Sequence, residues 1–161
     1  MQIQISVRQK PIVIDRRRLR KSAKSILSAL GYTEVELSIA IVDNVEMARL
    51  NQGYRGVEGA TDVLAFAMRD GEYGEVCSDL LGDVVISAPT AQAMAVEHQC
   101  PMEAIWDLLL THGVLHLVGY DHERSPSDAR DMDDQTLKLL ELLGYSPDVF
   151  AWYQTTRPSA P

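Results

Sequence analysis

The 161-residue chain has no run of residues that could span a membrane as a helix. Such a span needs about 20 mostly apolar residues, and the most apolar segment, 104–118, is interrupted by Asp107, His112 and His116. No secretory signal is expected either, since Met1-Gln2-Ile3-Gln4-Ile5-Ser6-Val7 alternates polar and apolar residues instead of placing an apolar run behind a charged one. The expectation is a cytoplasmic protein with no membrane partner. Cysteine is scarce. Cys77 and Cys100 are the only two, they lack the paired spacing of a zinc-thiolate site, and reduced thiols are expected. Excess positive charge is also absent: 15 Lys and Arg face 23 Asp and Glu, for a formal net charge of −8. That argues against a generic nucleic-acid binder, and no DNA partner is expected.

What is present suits one domain with a real core, 46% of residues being hydrophobic and 24% charged, without internal repeat or low-complexity linker. The charge is unevenly spread. Arg16, Arg17, Arg18, Arg20, Lys21 and Lys24 form a basic run, while 128–141 is mostly acidic. The basic run reads equally as a solvated helix face or as a footprint for phosphates.

The pattern predicts an α+β fold, a small mixed β-sheet covered by helices. Ile3, Ile5 and Val7 alternate as in a strand. Asp15 can cap a helix to about Leu30 whose apolar face is Leu19, Ala23, Ile26, Leu27 and Leu30, and Gly31 stops it. A second strand covers 35–42, and Asp43 or Asn44 caps a helix to about Gln52. Gly53, Gly56 and Gly59 then mark a loop, followed by a strand at 63–67, a surface insertion at 69–79 and a strand at 81–87. Pro89 opens a helix to about His98, and Pro101 opens another that ends at Gly119. A last helix covers 127–143, capped by Ser125 or Ser127 and stopped by Gly144. The residues from about 147 to 161 read as a flexible tail.

Three of the four histidines fall within Thr111-His112-Gly113-Val114-Leu115-His116-Leu117-Val118-Gly119-Tyr120-Asp121-His122. Residues four apart lie one turn above each other on a helix, so His112 and His116 can aim at one point. Gly119 permits a sharp reversal that can return His122 as a third ligand. Three neutral imidazoles leave a fourth tetrahedral position open, the arrangement of a catalytic zinc site. One Zn2+ per chain is expected. The spacing is that of the metzincin protease signature H-E-x-x-H-x-x-G-x-x-H, except that Gly113 stands where that signature has its catalytic Glu. A metalloprotease is therefore the second choice. His98 lies outside the pattern and reads as an ordinary helix residue.

The stretch His112 to His122 also resembles the bacterial YbeY family of zinc-dependent endoribonucleases, whose hallmark H-G-x-L-H-L-x-G-Y-D-H it matches at every specified position. Leu50-Asn51-Gln52-Gly53-Tyr54-Arg55-Gly56 with Thr61-Asp62-Val63-Leu64 is similar to the family's loop-to-strand segment, and Leu81-Gly82-Asp83-Val84-Val85-Ile86-Ser87 to its next strand. One departure is visible: Ala65-Phe66-Ala67 replaces the family's usual Ser-Phe-Pro. The resemblance implies a single-strand-specific endoribonuclease that matures the end of small-subunit ribosomal RNA and serves ribosome quality control. Its partners would be ribosomal RNA and the small subunit or its assembly factors.

The resemblance also implies a functional Arg in the loop segment, matched here by Arg55. A guanidinium suits phosphodiester hydrolysis because it can hold phosphoryl oxygens as they gain charge. By itself Arg55 would read as a surface residue at a helix end. The expected catalytic set is Arg55, His116 and Asp121, with His112, His116 and His122 on the metal. Asp121 could act as base or orient a ligand imidazole, and the second role fits better. Asp83 is a weaker candidate, better read as structural. A third reading keeps zinc as a pin for the helix end of a non-catalytic assembly factor.

Overall fold

Alternating Ile3, Ile5 and Val7 form β1 (Gln2–Val7), and Leu37, Ile39 and Ile41 do the same in β2 (Glu36–Val42). In this computed structural model, which describes residues 1–68 and 79–153, the two strands run parallel with Ile3 beside Leu37. Parallel neighbours need a crossover, and α1 (Arg16–Ala29) supplies it, its first turn capped by the Asp15 side chain accepting the Arg18 N–H. After β2 come α2 (Asn44–Arg55), β3 (Val63–Ala67) and β4 (Leu80–Ser87). β4 lies parallel beside β2 and antiparallel to β3, giving the order β1-β2-β4-β3. The expected mixed sheet is what the chain forms.

Three helices follow: α3 (Ala88–Glu97), α4 (Met102–Leu117) and α5 (Pro126–Leu142), then a 3-10 turn at Pro147–Phe150. Strand alternation sends the two sheet faces to different partners. Ile3, Leu37, Ile39, Val84 and Ile86 join the main core with α1, α3 and α4. Val42, Leu64 and Val85 face the other way and bury Met47 of α2. Because α4 lies between the sheet and the other helices, it is apolar nearly all round, as a central helix must be. No helix among the described residues is long and apolar enough to cross a membrane.

Three expectations change in detail. Helix α2 does not stop at Gln52 but runs to Arg55, because Gly53 stays helical and Gly56, at φ 66°, makes the left-handed turn. The basic run on α1 divides its duties. Arg18 Nη2 bonds the fully buried Asp107 at 2.5 Å and Arg20 reaches the Ile3 carbonyl, while Arg16, Arg17, Lys21 and Lys24 are exposed. The segment read as a tail from about 147 is packed as far as Tyr153, with Phe150 in the core against Ala104, Leu108 and Leu140. Most of the surface insertion expected at 69–79, with Cys77 in it, lies outside the described residues, as do 154–161.

Two glycines let α4 approach the sheet. A Cβ on Gly113 would stand 2.7 Å from Val84 Cγ1. One on Gly82, at φ 146°, would meet the Phe66 carbonyl oxygen at 2.2 Å and Leu117 Cδ2 at 2.9 Å. The close contact carries the C-terminal end of α4, with its histidines, onto the strand pair β3–β4.

Candidate metal centre and its groove

Helix α4 ends at Leu117. Gly119 takes φ 106°, its N–H bonds the His116 carbonyl at 3.2 Å, and the Tyr120 N–H bonds the Leu115 carbonyl at 3.0 Å. These paired bonds close the helix end in a left-handed glycine cap, which reverses the chain. The reversal returns His122 beside His112 and His116. Ring centroids are 4.7 Å apart for His112–His116 and 5.2 Å for His122 to each of the others.

Each imidazole offers a nitrogen to a common point, all three within 4.8 Å of one another. Among the described residues this is the one group of three or more His, Cys, Asp or Glu that could hold a metal ion. Ligands of a tetrahedral zinc, each about 2.0–2.1 Å from the ion, lie roughly 3.4 Å apart. His112 Nε2 and His116 Nε2 already stand 3.1 Å apart. His122 Nδ1 is buried with no hydrogen-bond partner among the described residues. Burial, reinforced by His116 and His122, lowers the His112 pKa from 6.5 to about 3, and burial also lowers that of His116. Near neutral pH these two rings are therefore uncharged lone-pair donors. The donor set fits a divalent cation of intermediate softness.

One ligand has an anchor. His112 Nδ1 lies 2.8 Å from the hydroxyl of Tyr153, at the end of the packed 147–153 segment. No motif around the histidines signals this residue; the available sign was the aromatic run Phe150-Ala151-Trp152-Tyr153, too apolar for a free tail.

The cluster opens on a groove of about 1130 Å3 lined by β3, the end of α2 and the loop after α4. Arg55 lines it from the last turn of α2, with its Nη2 3.7 Å from Glu123 Oε1, so the structure brings Arg55 to the loop that carries His122. The α2–β3 loop is held by buried Asn51, whose side-chain N–H donates to the Gly59 carbonyl at 2.9 Å. Tyr54, 72% exposed, sits beside Phe66 in the same groove. Asp121 also lines the groove, but its bonds brace the loop: Oδ1 accepts the Glu123 N–H at 2.8 Å, and Oδ2 lies 3.8 Å from Arg124 Nε. Asp83 pairs with Ser38 and Phe66 inside the sheet and does not line the groove. His98 stacks on Trp152, away from the cluster, and Cys100 accepts the Trp152 indole N–H at 3.3 Å.

The sequence model of the family described as endoribonuclease YbeY matches residues 4–144. The chain belongs to this family. The protein named Endoribonuclease YbeY from Geobacter sulfurreducens is 44% identical over 144 residues, covering 89% of this chain and 96% of the relative. That from Syntrophus aciditrophicus is 37% identical over 150 residues, covering 92% and 94%. The solution structure of TM1509 from Thermotoga maritima superposes with a TM-score of 0.59 at 24% identity, covering 93% of this chain and 90% of that one, which supports the fold. Within this family frame, Ala65 and Ala67 form an unbroken β3, pairing with Val84 and Gly82, so the strand needs neither the Ser nor the Pro usual there.

Gly113 bears on the protease alternative. The Cβ position that a catalytic Glu would need is filled by Val84 Cγ1 at 2.7 Å and Val63 Cγ2 at 3.3 Å. A glutamate at 113 would push α4 off the sheet.

Proposed function

We propose that this chain is a zinc-dependent endoribonuclease that cuts single-stranded RNA, acting in maturation of the small-subunit ribosomal RNA end and in ribosome quality control. The observation that carries this reading is the convergence of three imidazole nitrogens on the wall of an open groove that Arg55 shares. The family relatives named as endoribonucleases supply the reaction class. Small-subunit assembly factors are the expected partners, in the cytoplasm.

His112, His116 and His122 hold the ion. When bound, zinc would supply Lewis-acid chemistry and lower the pKa of water toward neutrality. The groove admits an extended strand, and Arg55 meets the phosphate there. Its guanidinium donates to the non-bridging oxygens, a contact that strengthens as they gain charge in the transition state. Asp121 acts at one remove: by bracing the turn at Glu123 it keeps His122 in place, a positioning role. The groove's own side chains are not strongly cationic. Arg55 and Arg124 face Asp62, Asp121 and Glu123, so the ion adds charge that the polyanionic backbone needs.

The test gives zinc-loaded protein single-stranded ribosomal RNA and, separately, casein, with His116→Ala as control. RNA cleavage lost in the control is expected. Cleavage that survives in the control indicates a contaminating nuclease and removes the main support. Casein cleavage promotes the protease reading; zinc binding without any cleavage favours the assembly factor. Metal analysis should find about one zinc per chain, lost or much weakened in His112→Ala, His116→Ala and His122→Ala.

A further inference from the structure

The contact between Tyr153 and His112 has a direction that the ligand role of His112 determines. An imidazole nitrogen and a hydroxyl 2.8 Å apart can share a proton either way. The other ring nitrogen of His112, Nε2, faces His116 Nε2 at 3.1 Å inside the cluster. A neutral imidazole that gives its Nε2 lone pair to an ion carries its one proton on Nδ1, so Nδ1–H donates and the phenol oxygen of Tyr153 accepts.

We infer that Tyr153 is a positioning residue for the metal centre: it accepts the Nδ1–H of His112 and so holds that imidazole in the tautomer whose bare Nε2 faces His116 and the ion. A ligand imidazole needs such a partner on its far nitrogen to fix ring orientation and tautomer. Here the partner comes from the C-terminal segment rather than from the histidine motif. That segment is anchored independently, by Phe150 in the core and by Trp152 stacked on His98 with ring centroids 3.7 Å apart and planes 5° off parallel. The family match ends at residue 144, nine positions before this tyrosine. The inference rests on the reading that the three histidines hold a metal, and it adds what sets one of them.

Tyr153→Phe removes the hydroxyl and keeps the ring. Two measurements on the full chain decide the matter. The first is zinc affinity by competition with a chromogenic chelator, with the d–d spectrum of the cobalt-loaded protein as a report on ligand geometry. Loss of a partner of this kind typically weakens a metal site 10–100-fold, and about tenfold is expected for Tyr153→Phe. The second is long-range proton–nitrogen NMR of the metal-free protein. His112 should be Nδ1–H in the wild type and should shift toward Nε2–H in Tyr153→Phe.

A purely structural role would lower the melting temperature of metal-free Tyr153→Phe and leave affinity, cobalt spectrum and tautomer unchanged; that result overturns the inference. If the wild type takes up no metal, the reading of the centre falls. The tautomer in the metal-free wild type still decides the part of Tyr153: Nδ1–H supports it and Nε2–H refutes it.

Discussion

Helix α4 carries two polar clusters, one fully buried and one half-buried, and they are completed in different ways. Near its middle, the Asp107 carboxylate has no exposed surface and receives Arg18 Nη2 at 2.5 Å and the Tyr145 hydroxyl at 2.6 Å. Roughly a turn and a half later, the same helix turns His112 and His116 toward His122. The first cluster carries its own counter-ion, drawn from α1. The second collects three lone pairs and, among the described residues, no cation bonded to them, and it opens on a groove. A buried charge with a covalently supplied partner ties elements together. A set of neutral donors with none is built to take a cation from solution.

The largest effect should come from breaking the self-contained cluster. Arg18→Ala strands a carboxylate that has no exposed surface, a change of the kind that costs about 3–5 kcal/mol. For a chain of this length that lowers Tm by roughly 10 °C. Zinc stoichiometry should stay at about one per chain, since the histidines are untouched. Thermal unfolding with and without Arg18, beside metal analysis, checks both halves. A variant that keeps its Tm would show that the pair ties nothing together, and the contrast with the histidine end would collapse.

The open cluster should behave in reverse, with stability that depends on what is added. Zinc that binds only the folded state stabilises by about 2.7 kcal/mol at a hundredfold excess over Kd. EDTA should therefore lower the wild-type Tm by several degrees and leave His116→Ala unmoved. The metal-free forms of the two proteins should unfold within about 1 kcal/mol of each other, because His116 is only half-buried. An EDTA shift retained in His116→Ala would break the three-ligand reading.

The two clusters were unequally legible in the sequence. The histidines announce themselves because both ligand geometry and helix periodicity are local: four residues make one turn, and Gly119 makes the reversal. Asp107 was visible only as an interruption in an apolar segment, and its partner Arg18 is 89 positions away in a run of similar cations. Nothing local distinguishes the arginine that turns inward from its exposed neighbours, Arg16 and Arg17. The sheet was readable from alternation in β1 and β2, although strand order, with β4 inserted between β2 and β3, depends on long-range packing. Arg55 was placed in a loop because Gly53 looked like a stop, yet a helix tolerates glycine at about 1 kcal/mol and the left-handed turn waits for Gly56. Tyr153 was hidden most deeply, since its role appears only once α5 and the end of the chain are folded against His112.

Acid should separate the clusters by a smaller amount per pH unit. The folded-state pKa of His112 is depressed from 6.5 to about 3. Between those values the unfolded chain binds a proton that the folded chain refuses, so stability rises with pH across this window and falls on acidification. The slope from one such group is at most about 1.4 kcal/mol per pH unit. Metal-free wild type and His112→Ala, melted from pH 7 down to pH 4, should differ in slope below about 6.5 and run parallel above it. Protons compete for the same nitrogens, so zinc release is expected in that interval too. Equal slopes in the two proteins would mean that His112 is not held neutral by the fold.

The smallest effect concerns the rim of the open cluster. Arg55 Nη2 and Glu123 Oε1 are 3.7 Å apart, with both side chains substantially exposed, so their attraction is worth at most about 1 kcal/mol. Glu123→Gln removes one negative charge from a groove shared by two arginines and three carboxylates, and it releases Arg55 toward a phosphate. KM for single-stranded RNA should fall about two- to threefold at low salt and return to the wild-type value near 0.5 M salt, where screening acts within a few ångströms. The gain should vanish in an Arg55→Ala background. If it persists there, the glutamate acts through the general field of the groove rather than by occupying the guanidinium that meets the phosphate. Arg55 would then lose its best physical support as the residue that holds the substrate.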